Sequence, residues 1–481
     1  MQLPSLKKAK RVSRKKKILL LSDDCRLKSG VGTMSREIIR GTVHKYDWVQ
    51  LAGALNHPDE GKGMIDMSEE FQNITKVRDA SVKLLPVAGY GDPKTLRTLI
   101  NIEKPDMIVH FTDPRFWDWL YDMEHEIRKT TPIGYLNIWD DLPFPHWNEN
   151  AYESCDLLMA ISKQTYNINK HVCQRKPRVE GEDLFYVQHG IDPTVYQPVD
   201  QTTEEFTKFK SEVLGGKDKD FVLFFNSRNI RRKSPSDLIL GYKKFCEQLT
   251  KEEASKCLLL MHTDAVDANG TDLPAVMNSL CQEYDVRFST TKMDDKFLNY
   301  MYNIADVTCN PSSAEGFGLS HMESLMAGTP TIATVLGGLQ DQMGFKVNGE
   351  EFNVKHLNAK IPSNSTGEIS VEHGIWTLPL WPQLNLQGSP QTPYIYDSRA
   401  SISQIENAIK VWYDRGREDR YKRGLAGRNW AIENEFTFEG MAKAFIKATE
   451  STFDTFKGRD PYTLIKIDIN EEVKYPSGEL L

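Results

Sequence analysis

The chain has 481 residues, 40% apolar and 26% charged, with a formal net charge of −7. That length exceeds one ordinary domain and fits two of roughly 200 residues each. No apolar run approaches the ~20 residues a membrane-spanning helix needs. Seven cysteines (25, 155, 173, 246, 257, 281 and 309) are scattered without a Cys-x-x-Cys pair. This argues against a disulfide framework or a zinc site and predicts a reducing, cytoplasmic setting.

Residues 1–17, MQLPSLKKAKRVSRKKK, form a basic leader with eight Lys/Arg and no acid. Taking those eight from the net −7 leaves −15 on the rest of the chain. The leader reads either as a solubilising tail or as an arm for DNA, RNA or anionic lipid. ILLL (18–21) is too short for the apolar region of a signal peptide and reads as a first buried strand. From there short apolar runs alternate with helical patterns. Strands are predicted at 17–23, 48–55, 82–87, 106–112, 132–138, 155–162 and 184–190. Helices are predicted at 32–45, 94–103, 116–129 and 163–173. Such an order predicts a parallel sheet covered on both faces, over an N-terminal domain of 18–200. Residues 201–220 read as a polar linker with a short helix.

The alternation restarts with strands at 221–227, 257–263, 286–289, 306–312 and 329–334, and helices at 235–249, 273–284, 294–304 and 319–327. A second domain is therefore expected over 221–435, interrupted by an irregular insertion at 340–400. Helices are expected at 401–416 and about 435–456, with residues 436–481 packing back on the first domain. The expected fold is α/β, two doubly wound Rossmann-like domains facing across a cleft. Ligands then bind at the carboxyl ends of the strands.

The stretch NPSSAEGFGLSHMESLMAGTPTIATVLGG (310–338) stands at such a strand end. Gly316 and Gly318 permit close approach of a ligand to the backbone. The helix starting near Leu319 then offers free N–H groups suited to a diphosphate. Glu315 and Glu323 would repel phosphate, but they can accept hydrogen bonds from sugar and ribose hydroxyls. Taken singly, either acid reads as well as a partner of the helix dipole. Gly30, Gly32 and Thr33 sit at the cleft end of the first strand, where a helix opens.

The string EGFGLSHMESLMAGTPTIAT followed by GG resembles the donor-site signature of glycosyltransferase family 4, whose members are retaining enzymes of the GT-B fold. NSRNIRRKSPSDLILGY, MAISKQT, YVQHGID and LKSGVGTMSREI resemble further elements of that family. The resemblance implies that Arg228 and Lys233 contact the donor diphosphate. It places Gly30, Gly32, Thr33, Glu315, Gly316, Phe317, Gly318, Leu319 and Glu323 around the donor. The catalytic candidates are Arg228, Lys233, Glu315 and Asp140. Asp140 lies in YLNIWDDLPFPHW, where Trp139-Asp140-Asp141 stands in place of the family's histidine context. No metal motif and no tightly bound cofactor is implied; the donor is a nucleotide-diphosphate sugar, with a UDP-sugar expected.

The same resemblance implies a front-face transfer in which the leaving phosphate takes the acceptor proton. Family acceptors include lipids, saccharides, small metabolites and proteins, and some phage-encoded relatives modify hydroxymethylated bases in DNA. A duplex base would have to be flipped out. Trp376, Trp381, Tyr394 and Tyr396 of the insertion are candidates to contact a base or a sugar, or simply to pack. A nucleotide-sugar 2-epimerase of the same fold and a non-catalytic sugar- or polyanion-binding protein stay open as alternatives.

Overall fold

The computed structural model describes residues 14–459. Most of the basic leader, 1–13, and the tail 460–481 lie outside the described residues. The described end of the leader is tied to the fold. Lys17 pairs with Glu103 at 2.7 Å, Arg14 with Asp106 at 2.9 Å and Lys15 with Asp79 at 2.9 Å. These cations are therefore neutralised by acids of the first domain, and strand pairing already begins at Lys16.

The first sheet contains β1 (Lys16–Asp23), β2 (Tyr46–Ala54), β3 (Ile65–Asp66), β4 (Val82–Ala88), β5 (Met107–Phe111), β6 (Ile133–Asn137), β7 (Leu157–Ala160) and β8 (Leu184–Tyr186). Their order is β3-β4-β2-β1-β5-β6-β7-β8. Only β3 runs antiparallel, at the edge. Ile18, Leu19, Leu20 and Leu21 of β1 are fully buried, as expected for a parallel strand covered on both faces.

The second sheet contains β9 (Phe221–Asn226), β10 (Cys257–His262), β11 (Val286–Ser289), β12 (Val307–Asn310) and β13 (Thr331–Thr334). The chain then forms a small ladder, β14 (Lys346–Val347) and β15 (Glu350–Glu351), before returning as β16 (Thr377–Leu380) beside β13. The order is β11-β10-β9-β12-β13-β16, all parallel. In the first sheet the winding reverses between β1 and β5, in the second between β9 and β12. Ligand crevices in such sheets open at these reversals.

Two parts of the sequence reading change, and a third is filled in. The stretch 201–220 contains the expected short helix, which is docked. Its helix Glu204–Val213 buries Phe206 completely and sets that ring 5.2 Å from Tyr300 of the helix Asp295–Ile304. The insertion 340–400 is only partly irregular, because it supplies β16 and a hairpin, β17 (Gln383–Ser389) with β18 (Thr392–Arg399). The predicted helix 116–129 is broken into a turn at Pro114–Phe116 and short helices at Asp118–Asp122 and Glu124–Ile127.

A helix at Gly416–Glu433 also fills the space left between the two predicted C-terminal helices. Its anchor is Arg420, which reaches Asp306 at 2.9 Å, a polar contact that leaves no apolar period. The last helix, Phe438–Thr455, lies on the helix Gly30–Thr42 of the first domain. Arg40 stacks on Phe438 at 3.8 Å, and Tyr46 donates to Glu450 at 2.8 Å.

Candidate functional site

The end of β9 leads into a 3-10 turn, Arg231–Lys233, and the end of β12 leads into the loop before the helix Leu319–Met326. The two meet at the winding reversal. Lys233 Nζ donates to Glu315 Oε2, and Ser312 Oγ donates to the same oxygen at 3.3 Å. Arg232 stands 3.9 Å from Glu315 and 3.8 Å from Asp140 of the first domain. Its guanidinium also donates to the Ala314 carbonyl at 2.6 Å, which locks the loop to the turn.

Burial alone would raise the Glu315 carboxyl, yet Lys233 and Arg232 hold it below the usual carboxylate range. Burial lowers Lys233, opposed by Glu315. Asp140 and Asp141 are both raised by burial, and the charge on Asp140 pushes Asp141 further. The cluster thus holds two cations and three carboxyls, with the Lys233–Glu315 pair at its buried centre and Arg232 at its exposed rim.

The glycines have specific work here. Gly318 has φ +92° and caps the helix. A Cβ on Gly337 would sit 1.9 Å from the Glu315 carbonyl oxygen, and one on Gly338 2.4 Å from Phe317 Cα. The closing Gly-Gly pair therefore lets the chain after β13 lie directly against the Glu315 loop. Gly316 faces the first domain, with a Cβ there 3.1 Å from the Ile138 carbonyl. Phe317 is a wedge and not an exposed contact. Its ring is buried between His189 at 5.2 Å and Phe436 at 6.2 Å.

Glu323 lies one turn inside the helix and accepts from the Tyr302 hydroxyl at 2.6 Å, while Asn226 donates to that hydroxyl at 2.8 Å. Burial pushes its carboxyl up to about 7. Across the cleft, Gly30 faces Leu319 at 3.6 Å from a built Cβ to Cδ1. Gly32 donates to Ser29 Oγ at 3.0 Å and Thr33 to the Ser29 carbonyl at 2.8 Å, so those two N–H groups serve the turn. A Cβ on Gly32 would meet the Leu27 and Asp24 carbonyls at 2.7 and 2.8 Å.

Lys233, Glu315, Asp140 and the Gly316–Leu319 turn are thus assembled at one place. Arg228 is not part of that cluster: it is 59% exposed and pairs with Asp267 at 2.8 Å. Lys233 is the buried cation of the turn, and Arg232, 44% exposed, borders the cluster from its rim. RNIRRK offers four cations in six positions, and only the 3-10 turn decides which of them points inward. Gln164 was also not singled out. It donates to the Asp140 carbonyl at 2.7 Å and accepts from the Gly337 N–H at 3.1 Å, pinning the two domains together.

Residues 206–363 match the model of the family described as glycosyl transferases group 1. The family resemblance carried by the Glu315–Glu323 string is therefore met over that segment. A D-inositol 3-phosphate glycosyltransferase of Kribbella flavida is 27% identical over 240 residues, 48% of this chain and 54% of that protein. An uncharacterized glycosyltransferase of Methanocaldococcus jannaschii is 27% identical over 203 residues, 42% of this chain and 47% of that protein. The chain thus spans about half the length of these curated relatives. Anabaena HepE, solved in complex with UDP and glucose, superposes with a TM-score of 0.61 at 14% identity, covering 91% of this chain and all of that one. Sucrose-phosphate synthase from Thermosynechococcus elongatus superposes at 0.63 and 14% identity, covering 92% and 100%. At that identity the likeness establishes the fold, the two-domain GT-B arrangement.

Proposed function

We propose that the protein is a retaining glycosyltransferase that moves a sugar from a nucleoside-diphosphate sugar to an acceptor hydroxyl, with a UDP-sugar as donor. The observation that carries this is the Lys233–Glu315 pair, joined by Arg232, at the winding reversal of the matched segment. UDP and glucose bound in HepE support the donor class by analogy of fold.

In this reading the donor diphosphate lies along the N-terminus of the helix Leu319–Met326, facing Lys233 and Arg232. Charge that builds on the diphosphate as the C1–O bond breaks is met by these groups. Removing one preorganised donor of this kind costs about 2.7–4 kcal/mol of barrier. Glu323, fixed by Tyr302, accepts from the ribose hydroxyls. Glu315 accepts from hydroxyls of the transferred sugar while holding Lys233 in place. The acceptor hydroxyl attacks C1 from the face the diphosphate leaves. Its proton passes to a leaving phosphate oxygen, so the products are a glycoside and a nucleoside diphosphate. The closed cleft, bridged by Gln164, keeps water from competing.

The test is a melting-temperature panel of UDP, GDP, ADP and their glucose conjugates on the purified chain. A nucleotide present at about 100 times its Kd adds ~2.7 kcal/mol of stability. The expected result is a selective shift with the uridine compounds and slow release of UDP from UDP-glucose. A protein that shifts with none of them is not a glycosyltransferase of this kind.

A further inference from the structure

Beside the donor cluster lies a chamber of about 140 Å³ that the donor reading leaves unused. Its floor is Asp140 to Leu142 of the first domain. Ser313 and Leu336 join it to the donor loops, and the segment 360–368 roofs it. The fourth wall is the hairpin β17–β18, through Leu384, Tyr396 and Ser398.

That hairpin belongs to neither domain alone. Arg399 at its base pairs with Asp237 of the second domain at 2.5 Å. The same strand, β18, also docks on the first domain. The Tyr396 N–H donates to the Leu142 carbonyl at 2.7 Å, the Tyr394 hydroxyl donates to the Phe144 carbonyl at 3.1 Å, and the Tyr394 ring meets Trp147 edge-on at 4.5 Å. The hairpin therefore clasps the two domains across the mouth of the chamber. It also fixes the loop that carries Asp140, the residue shared by the chamber and the donor cluster.

The lining states what would fit. Six side chains bear hydroxyls, three are carboxyls (Asp140, Asp141, Glu368), and Lys360 is the one cation. Just outside the lining, Arg232 and Arg115 act on Asp141 and Asp397 of the hairpin opposes them. With hydroxyls the most numerous polar groups and Lys360 the single cation in the lining, the lining itself offers phosphate few partners, whether on a nucleic acid or on a phosphorylated sugar. Its hydrogen-bonding groups suit neutral hydroxyls. A cavity of roughly 150 Å³ holds one six-membered ring.

We propose that this chamber, walled by the chain's own 360–399 segment, is the acceptor site and that it takes an uncharged polyol of single-ring size. This rests on the glycosyl-transfer reading above. The reacting hydroxyl enters beside Asp140; its oxygen bonds C1 as the phosphate oxygen departs, and its proton follows the phosphate.

The experiment uses the full chain with UDP-glucose and four probes: D-glucose, myo-inositol, glucose 6-phosphate and a duplex containing 5-hydroxymethylcytosine. Product is read by mass spectrometry and free UDP by a coupled assay. The expected result is a glycoside of glucose or myo-inositol, with transfer to the two phosphate-bearing probes at least tenfold slower. Thr366→Trp, at the exposed rim of the roof, should lower the ratio of transfer to donor hydrolysis by tenfold or more. Tyr394→Ala, which loosens the clasp, should raise the relative rate with maltose, a two-ring acceptor. Transfer only to glucose 6-phosphate or to DNA overturns the assignment. So does UDP release with no transfer to either neutral probe, or an unchanged ratio in Thr366→Trp. If no UDP compound binds at all, it is the donor reading that has failed.

Discussion

Lys233→Met isolates the charge at the heart of the cluster, because methionine keeps most of the buried stem. In the native chain Lys233 is 8% exposed and its ammonium sits on Glu315, whose side chain is 12% exposed. Removing one partner of a buried ion pair costs about 3–5 kcal/mol, chiefly by stranding the other charge. Arg232 remains 3.9 Å from Glu315 and relieves part of this, so about 3 kcal/mol is expected. Each kcal/mol moves the melting point of a domain of this size by about 2–4 °C, giving a drop of about 6–12 °C. The pH dependence carries the diagnosis. In the native chain Glu315 is held below its ordinary value of 4.5. Its pairing therefore stabilises above that pH and is lost as pH falls through the lower, folded value. In Lys233→Met burial dominates and the carboxyl rises above 4.5. Its penalty is then full at pH 7.5 and shrinks toward pH 5, where the group takes a proton. Calorimetry of both proteins at the two pH values gives the difference. Adding Glu315→Gln to the variant should recover much of the loss at pH 7.5 and little at pH 5. A deficit that is equal at both pH values would refute the buried-charge reasoning and leave only lost packing.

Two further outcomes follow from the same loops. Glu323 titrates at about 7 in the fold against 4.5 in an unfolded chain. Its raised value contributes stability that is complete below about 4.5 and lost as pH rises through about 7. Glu323→Gln should flatten that part of the stability curve, seen in urea midpoints from pH 5 to 8. It should also abolish a rise in UDP affinity over the same range, since the ribose hydroxyls need the carboxylate; native affinity independent of pH sinks the assignment. For Gly338→Ala, whose new methyl would lie 2.4 Å from Phe317 Cα, overpacking against backbone should cost about 1–3 kcal/mol. A urea midpoint equal to that of the native chain would mean that the turn is looser than its geometry implies.

Most strands could be read from the sequence because both sheets are parallel and buried on both faces, so that runs such as ILLL and CLLLM stay apolar without interruption. The Glu315 loop was legible for a different reason. Backbone segments that pass within contact distance of one another exclude every side chain, and Gly337-Gly338 records that exclusion directly. Cations carry no such mark. Arg228, Arg231, Arg232 and Lys233 look alike in the sequence, yet of these four only Lys233 is buried, at the end of the 3-10 turn and just before the left-handed Ser234 (φ +50°). The helix Gly416–Glu433 was missed because its anchors are polar: Arg420 is held by Asp306 and by the Trp412 carbonyl at 3.1 Å.

The insertion was opaque for a deeper reason. A strand that packs on one sheet shows a period of two, because its faces see core and water alternately. The β17–β18 hairpin packs on no sheet. Leu384 and Tyr396 face the chamber, Tyr394 faces Trp147 of the other domain, and Leu386 between them is 65% exposed. Its environment changes residue by residue with the shape of two domains that lie far apart in sequence. Trp376, by contrast, serves the core. It is buried against Trp430 at 5.0 Å and donates to the Gln342 carbonyl at 3.1 Å. The proposed donor half of the site is thus written in glycines and paired charges, whose spacing is fixed by a backbone turn. The proposed acceptor half is made of hydroxyls, carboxyls and one tyrosine whose meaning exists only once the domains have met. Acceptor choice in this chain should accordingly respond to changes at 360–399 that leave the Glu315–Glu323 string untouched.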